Sequence, residues 1–318
     1  MKRLLVSLLC VAMLVTFMPS LAWAGNGTST VLPDADSNGV ITLQQDVSLT
    51  DNWIIDDEYT LDLNGYTLDM ASYTIAVEGK LVIKDATAGQ PVVDGNMDVS
   101  YGNSGKITGS KSTVQAQNGG TVILESGTLR STGDIALKAV GNTSADVNRE
   151  PIYSTVTVEG GYVYSREYGV GVFGYGAVVN VHDGVVEAED NAAIAGNGTM
   201  NSSSNMGGTE INISGGTLIS NIITSGYIAC GIYHPQQGSL NIEGGKIYAK
   251  KGVGVLMRSG SANITGGEIV ATGAVSGKVG DSTIIENCYG VVYDTKSNYP
   301  GLGDKDTIVI DEDAVISA

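Results

Sequence analysis

The strongest constraint on this chain is that it rewrites itself. The stretch "TEINISGGTLIS" at 209–220 returns as "SLNIEGGKIYA" at 239–249 and as "SANITGGEIVA" at 261–271. Aligned on the last glycine of each copy, the anchors are Gly127, Gly161, Gly184, Gly216, Gly245 and Gly267, with spacings of 34, 23, 32, 29 and 22 residues. The shortest spacings define the unit, and the longer ones are that unit plus insertions. An earlier copy, "TLDLNGYTLDM", puts Gly65 at the anchor, and a last copy, "TIVIDEDAVIS", puts Asp313 there. Self-similarity in this range is the mark of a repeat architecture.

Inside a unit the period is two. Ile211 and Ile213 alternate with Asn212 and Ser214, and Leu240 and Ile242 with Asn241 and Glu243. Alternation means strands with one buried face. A second short strand follows the glycines, and a third carries "GVGV" at 169–172 and 252–255 and "CGIY" at 230–233. Three strands per unit of about 22 residues, separated by glycine turns, predict an all-β chain: a single right-handed parallel β-helix, one unit per coil. Glycine serves the bends because they need positive φ. The residues closing the second strand (Ser131, Ser165, Ala188, Ser220, Ala249, Ala271) are small enough for a crowded interior corner. An antiparallel sandwich also has short strands and turns, but it has no reason to repeat side-chain types at aligned positions.

From Gly39 onward, "LDLNGYTL" at 61–68 and the "NISGG", "NIEGG" and "NITGG" coils resemble the right-handed β-helix, or pectate-lyase-like, surface proteins of Gram-positive anaerobes. The resemblance implies a fold. It leaves activity open, because such a fold carries lyases, hydrolases and non-catalytic adhesins alike.

Lys2 and Arg3, the apolar run Leu4 to Phe17 and the ending Ala22-Trp23-Ala24 read as a cleaved export signal over 1–24. Residues 25–38 then form a short linker and 39–318 the β-helix domain. The chain stops in mid-coil with apolar residues to the last position, which predicts a coil stack continued or capped beyond Ala318 in a longer protein. With Lys+Arg 17 against Asp+Glu 34 the net charge is -17, which repels nucleic acid and anionic membranes. No second apolar span follows the leader, so no membrane insertion is expected after its removal and the mature chain is expected to be secreted or displayed at the cell surface. Tyr 15 against Phe 2 suggests rings meeting water rather than filling a core.

The candidate sites follow from the ladders. The outward column of the first strand runs Ile123, Thr157, Asn180, Asn212, Asn241, Asn263, Val309, with four stacked asparagines that can bond along the axis. The next column runs Glu125, Glu159, His182, Ser214, Glu243, Thr265, Asp311, with no Arg or Lys beside it. Glu125 and Glu159 are the pair that could share a cation, Ca²⁺ being the cofactor it would take; otherwise they are solvated surface acids. His182 and Asp183 face opposite ways on a strand and make a poor dyad. No Cys/His metal set, no nucleophile triad and no phosphate loop around 102–112 is present, so no catalytic residue is assigned. Cys230 and Cys288 fall two coils apart, beyond disulfide reach, with Cys230 expected inward.

The second strand's outward column runs Arg130, Tyr164, Glu187, Ile219, Tyr248, Val270, Ile316, beside Tyr162, Val185, Thr217, Lys246 and Glu268. This is a partly apolar strip. Either the insertions 142–152, 197–208 and 273–287 cover it, or it binds a glycan or a host or cell-surface protein through Tyr162, Tyr164, Glu187 and Tyr248, or it reflects strand propensity alone. The expected function is a non-catalytic, adhesin-like binding module. The alternative is a polysaccharide lyase or glycoside hydrolase of the same fold.

Overall fold

A computed structural model describes residues 28–144, 148–196, 208–221, 230–274, 277–279, 283–285, 287–295, 299 and 303–318. The expected leader lies outside the described residues, as do 197–207 of the second expected insertion.

The chain is a right-handed parallel β-helix. Its strands fall into three long parallel sheets of ten, ten and nine strands. Each coil contributes one strand to each sheet in turn, except the last, whose described strands join the first two sheets only. A central coil, for example, runs Val178–Val181, Val185–Ala188 and Ile194–Gly196. The inward residues form columns such as Val179, Ile211, Leu240 and Ala262 in the first sheet and Val186, Leu218, Ile247 and Ile269 in the second. All of them are buried. Each larger aliphatic gains about 1.5–3 kcal/mol on burial, so the two-residue alternation directs these strands, whereas third-sheet strands such as Cys230–His234 and Val253–Met257 are buried throughout. Before the first coil, Ser29 pairs with Val47 and Leu32 packs on the core.

The anchor glycines carry the turn between the first two sheets. All six have positive φ, between 73° and 91°. A side chain there is also sterically barred: a Cβ on Gly245 would lie 2.6 Å from the Gly215 carbonyl oxygen of the coil below. The glycines of "GVGV" and "CGIY" do a different job. A Cβ on Gly254 would meet Cγ2 of Ile269, one coil on, at 2.3 Å. That glycine makes room for the next coil's core isoleucine.

The asparagine column is present and bonded. Asn180 donates to Thr157 at 3.3 Å, Asn212 to Asn180 at 2.9 Å and Asn241 to Asn212 at 2.8 Å, with Asn263 next in register. The six small residues closing the second strand are all buried.

Three expectations are corrected. In the last coil, Val315 makes the backbone bond to Gly267 that Glu268 makes to Gly245. The preceding turn therefore holds one residue more than its neighbours. The anchor position is Ala314 rather than Asp313, and Ser317 rather than Ile316 aligns with Val270. The acidic column of the first sheet does have a cation beside it, because the register continues backwards from Glu125 to Lys84, which pairs with Asp62. Cys230 is buried, but in a second cluster with Ala195, Tyr233, Val253 and Leu256 rather than in the main core. Cys230 and Cys288 are both free thiols.

Candidate functional site

The second sheet's outward strip is roofed, by a segment the repeat pattern did not reveal. After the strand Lys80–Lys84 the chain leaves the third coil, forms a small antiparallel hairpin of Val92–Val93 and Val99–Ser100, and returns at Lys106–Gly109. The excursion 85–105 lies along the strip. Of the three insertions expected to cover it, the described part of 142–152 sits elsewhere: Asn142 pairs with Tyr175 at the corner after the third sheet, and Ile152 bonds the Tyr175 carbonyl. Residues Gly277–Val279 and Thr283–Ile285 form a hairpin of their own.

The base of the excursion is held by one carboxylate. Asp85 is 3 % exposed. It accepts the Gly65 N–H at 3.0 Å, the Thr87 N–H at 3.0 Å and the Thr87 hydroxyl at 2.8 Å, and also the Gly105 N–H. Burial pushes its pKa up, but these hydrogen bonds outweigh burial and hold it below the usual carboxylate value. Further along, Ser104 and Thr128 bond at 3.0 Å, and the Tyr101 hydroxyl accepts the Gly127 N–H at 3.0 Å. At the far end Asp98 meets Lys250 at 3.1 Å.

Between excursion and sheet lies a cleft of about 500 Å³. Tyr101 stands edge-on to Tyr162, with ring centroids 6.0 Å apart, and Tyr162 is tilted against Tyr164 at 6.1 Å. The Arg130 guanidinium lies 5.1 Å from the Tyr164 ring centroid, and Lys106 completes the wall. Among the described residues no carboxylate lines this cleft. A second hollow of about 330 Å³ adjoins it, lined by Asp98, Val99, Tyr162, Glu187, Asn221 and Lys250.

The hydroxyls of the two tyrosines are committed. Tyr162 donates to Glu187 and Tyr164 to Glu189, each at 2.5 Å, and Asn221 donates to the other oxygen of Glu187. Burial, reinforced by Glu187, holds the Tyr162 phenol far above its ordinary pKa, and burial with Glu189 pushes Tyr164 up to about 12. Both phenols are therefore neutral donors with fixed orientation, and the carboxylates are occupied as acceptors.

Of the residues expected to bind ligand, the structure brings Tyr162, Tyr164 and Glu187 together. Tyr248 lies three coils on from Tyr164, outside both hollows, with its hydroxyl 3.3 Å from Thr272. Tyr101, Lys106 and Asp98 escaped sequence reasoning. "VVDGNMDV" at 92–99, a turn between two valine-bearing ends, is the hairpin signal that could have found them.

Glu125 and Glu159 are both exposed on successive coils, and Glu159 pairs with His182 at 3.0 Å. A Ca²⁺ ion held by these two carboxylates would compete with His182. Asp183 bonds its own neighbour's N–H, at Gly184, so no His182–Asp183 dyad forms. Among the described residues no group of three or more His, Cys, Asp or Glu gathers to hold a metal, and no helix is long and apolar enough to cross a membrane.

Comparison of the chain with protein-family models, with curated proteins and with solved structures gives no match.

Proposed function

We propose that this chain is a secreted or surface-displayed β-helix of the pectate-lyase-like kind, acting as a non-catalytic, adhesin-like module that binds glycan through the tyrosine cleft. The observation that carries the reading is the cleft itself: two tyrosine rings and two cations on the second sheet, faced by a third tyrosine from the excursion, in a chain of net charge -17. Tyrosine rings pack against sugar C–H faces, and their hydroxyls serve as polar handles. Here the hydroxyls are pinned by Glu187 and Glu189, so the rings are held in place before a ligand arrives. Such preorganisation lowers the entropic cost of binding.

The test is a glycan array followed by calorimetry and product analysis with the purified protein. Binding without turnover, weakened by Tyr164→Ala, supports the module. Release of unsaturated or reducing sugar ends from a polysaccharide overturns it in favour of a lyase or hydrolase.

A further inference from the structure

The excursion 85–105 touches the second sheet at widely separated coils. In register, the second-sheet strands run Lys106, Thr128, Tyr162, Val185, Thr217 and Lys246. The base of the excursion is thus at the first of these and the Lys250 contact at the last, five coil steps away. Five steps of roughly 4.8 Å make roughly 24 Å. The seven residue steps from Asp98 to Gly105 span roughly 23 Å when fully extended. The segment therefore runs along the helix axis in a largely extended form, with the Lys250 side chain making up part of the reach.

Its two ends are held very differently. The base has the buried Asp85 carboxylate with its four donors, and next to it Ser104 bonds Thr128 and the Tyr101 hydroxyl accepts the Gly127 N–H. The tip has two-residue strands, a left-handed Met97 at φ 62° and one ion pair whose side chains are 30 % and 70 % exposed. An exposed pair of this kind contributes about 0.2–1 kcal/mol and is screened by salt. Tyr162 and Val99 line both hollows, so the strap is the partition between them.

We propose that residues 86–100 are a strap that opens at its tip about a fixed base, and that opening joins the two hollows into one trough along the helix axis, so that the strap controls access to the tyrosine cleft. As a regulator of ligand entry this rests on the glycan-binding reading; as a motion of the chain it does not, and it is tested without ligand. The probes are amide hydrogen exchange of 92–100 and hydroxyl-radical footprinting of Tyr162, with strand 106–109 and Tyr248 as internal references. Lys250→Glu, or about 0.5 M salt, should raise exchange at 92–100 and labelling of Tyr162 about two- to five-fold and leave both references unchanged. The charge swap Asp98→Lys with Lys250→Asp should restore the wild-type pattern. Unchanged exchange and labelling in Lys250→Glu and in salt would show a fixed wall and overturn the strap. Exchange of 106–109 rising in step with 92–100 would show unfolding of the whole coil and overturn the hinge.

Discussion

Tyr162 bonds diagonally across the sheet: its register partner is Val185, but its hydroxyl donates to Glu187, two residues further along that strand, at 2.5 Å. Tyr164 repeats the geometry, paired with Glu187 in register and bonded to Glu189. Two parallel Tyr–Glu diagonals lean both rings the same way and set the floor of the cleft.

Position relative to the strap, not residue type, should decide which tyrosine matters. Tyr164→Ala is expected to weaken glycan binding about ten-fold, the order of one lost aromatic contact. Tyr248→Ala, outside the hollows, should leave it unchanged. Isothermal titration against the best array ligand checks both, with circular dichroism to show the coil intact.

Acid should loosen the molecule in two separate windows. His234 is buried, its Nδ1–H donates to the Ser259 carbonyl at 3.1 Å, and Nε2 has no partner among the described residues. Burial lowers its pKa from 6.5 to about 4. The unfolded chain therefore takes up a proton first, and stability is lost as pH falls from about 6.5 towards 4. Asp85 is depressed below the carboxylate range, so its contribution is present above about pH 4 and is lost only below it. Chemical denaturation across pH should show the upper loss vanish in His234→Gln, with the lower one retained.

Crowding at the inward glycines should be costly where the next coil presses in. Gly254→Ala sets a Cβ 2.3 Å from Ile269 Cγ2 and 2.5 Å from the Gly290 carbonyl oxygen, and should destabilise by about 1–3 kcal/mol. Gly95→Ala, at the hairpin of the strap, meets nothing within 4 Å and should be near neutral. Thermal melts of the two variants give the comparison.

The ion pair near the chain's end should be costly to break. Arg258 has no exposed surface and pairs with Asp294 at 3.1 Å, with the Tyr299 ring centroid 5.0 Å away. Arg258→Met takes the guanidinium away from Asp294, which is itself partly exposed, and should lower stability by about 1.5–3 kcal/mol. Coils exchange stability chiefly with their neighbours, so hydrogen exchange should rise around 253–293 and stay unchanged around 58–84.

The coil stack was legible because its signals repeat. The anchor glycines, the asparagine column and the small corner residues each recur at the same place in successive copies, and stacking turns recurrence into register. What occurs once was not legible. The strap has no second copy to align with, and its tip contact joins Asp98 to Lys250 across 152 residues. Tyr164 and Tyr248 occupy the same column, so only knowledge of the roof separates them. The slip at Ile316 came from one extra turn residue, which periodicity cannot count without a further copy to compare. Cys230 showed that a buried position on a strand can belong to a second cluster separate from the main one.

The reach of the strap also sets an order of assembly. Neighbouring coils can zip together as each is made, but the tip of 85–105 has no seat until Lys250, five coils later, is in place. A chain growing from its amino end therefore carries that tip unpaired while the intervening coils are laid down, although Tyr101 and Ser104 already have partners at Gly127 and Thr128 one coil on.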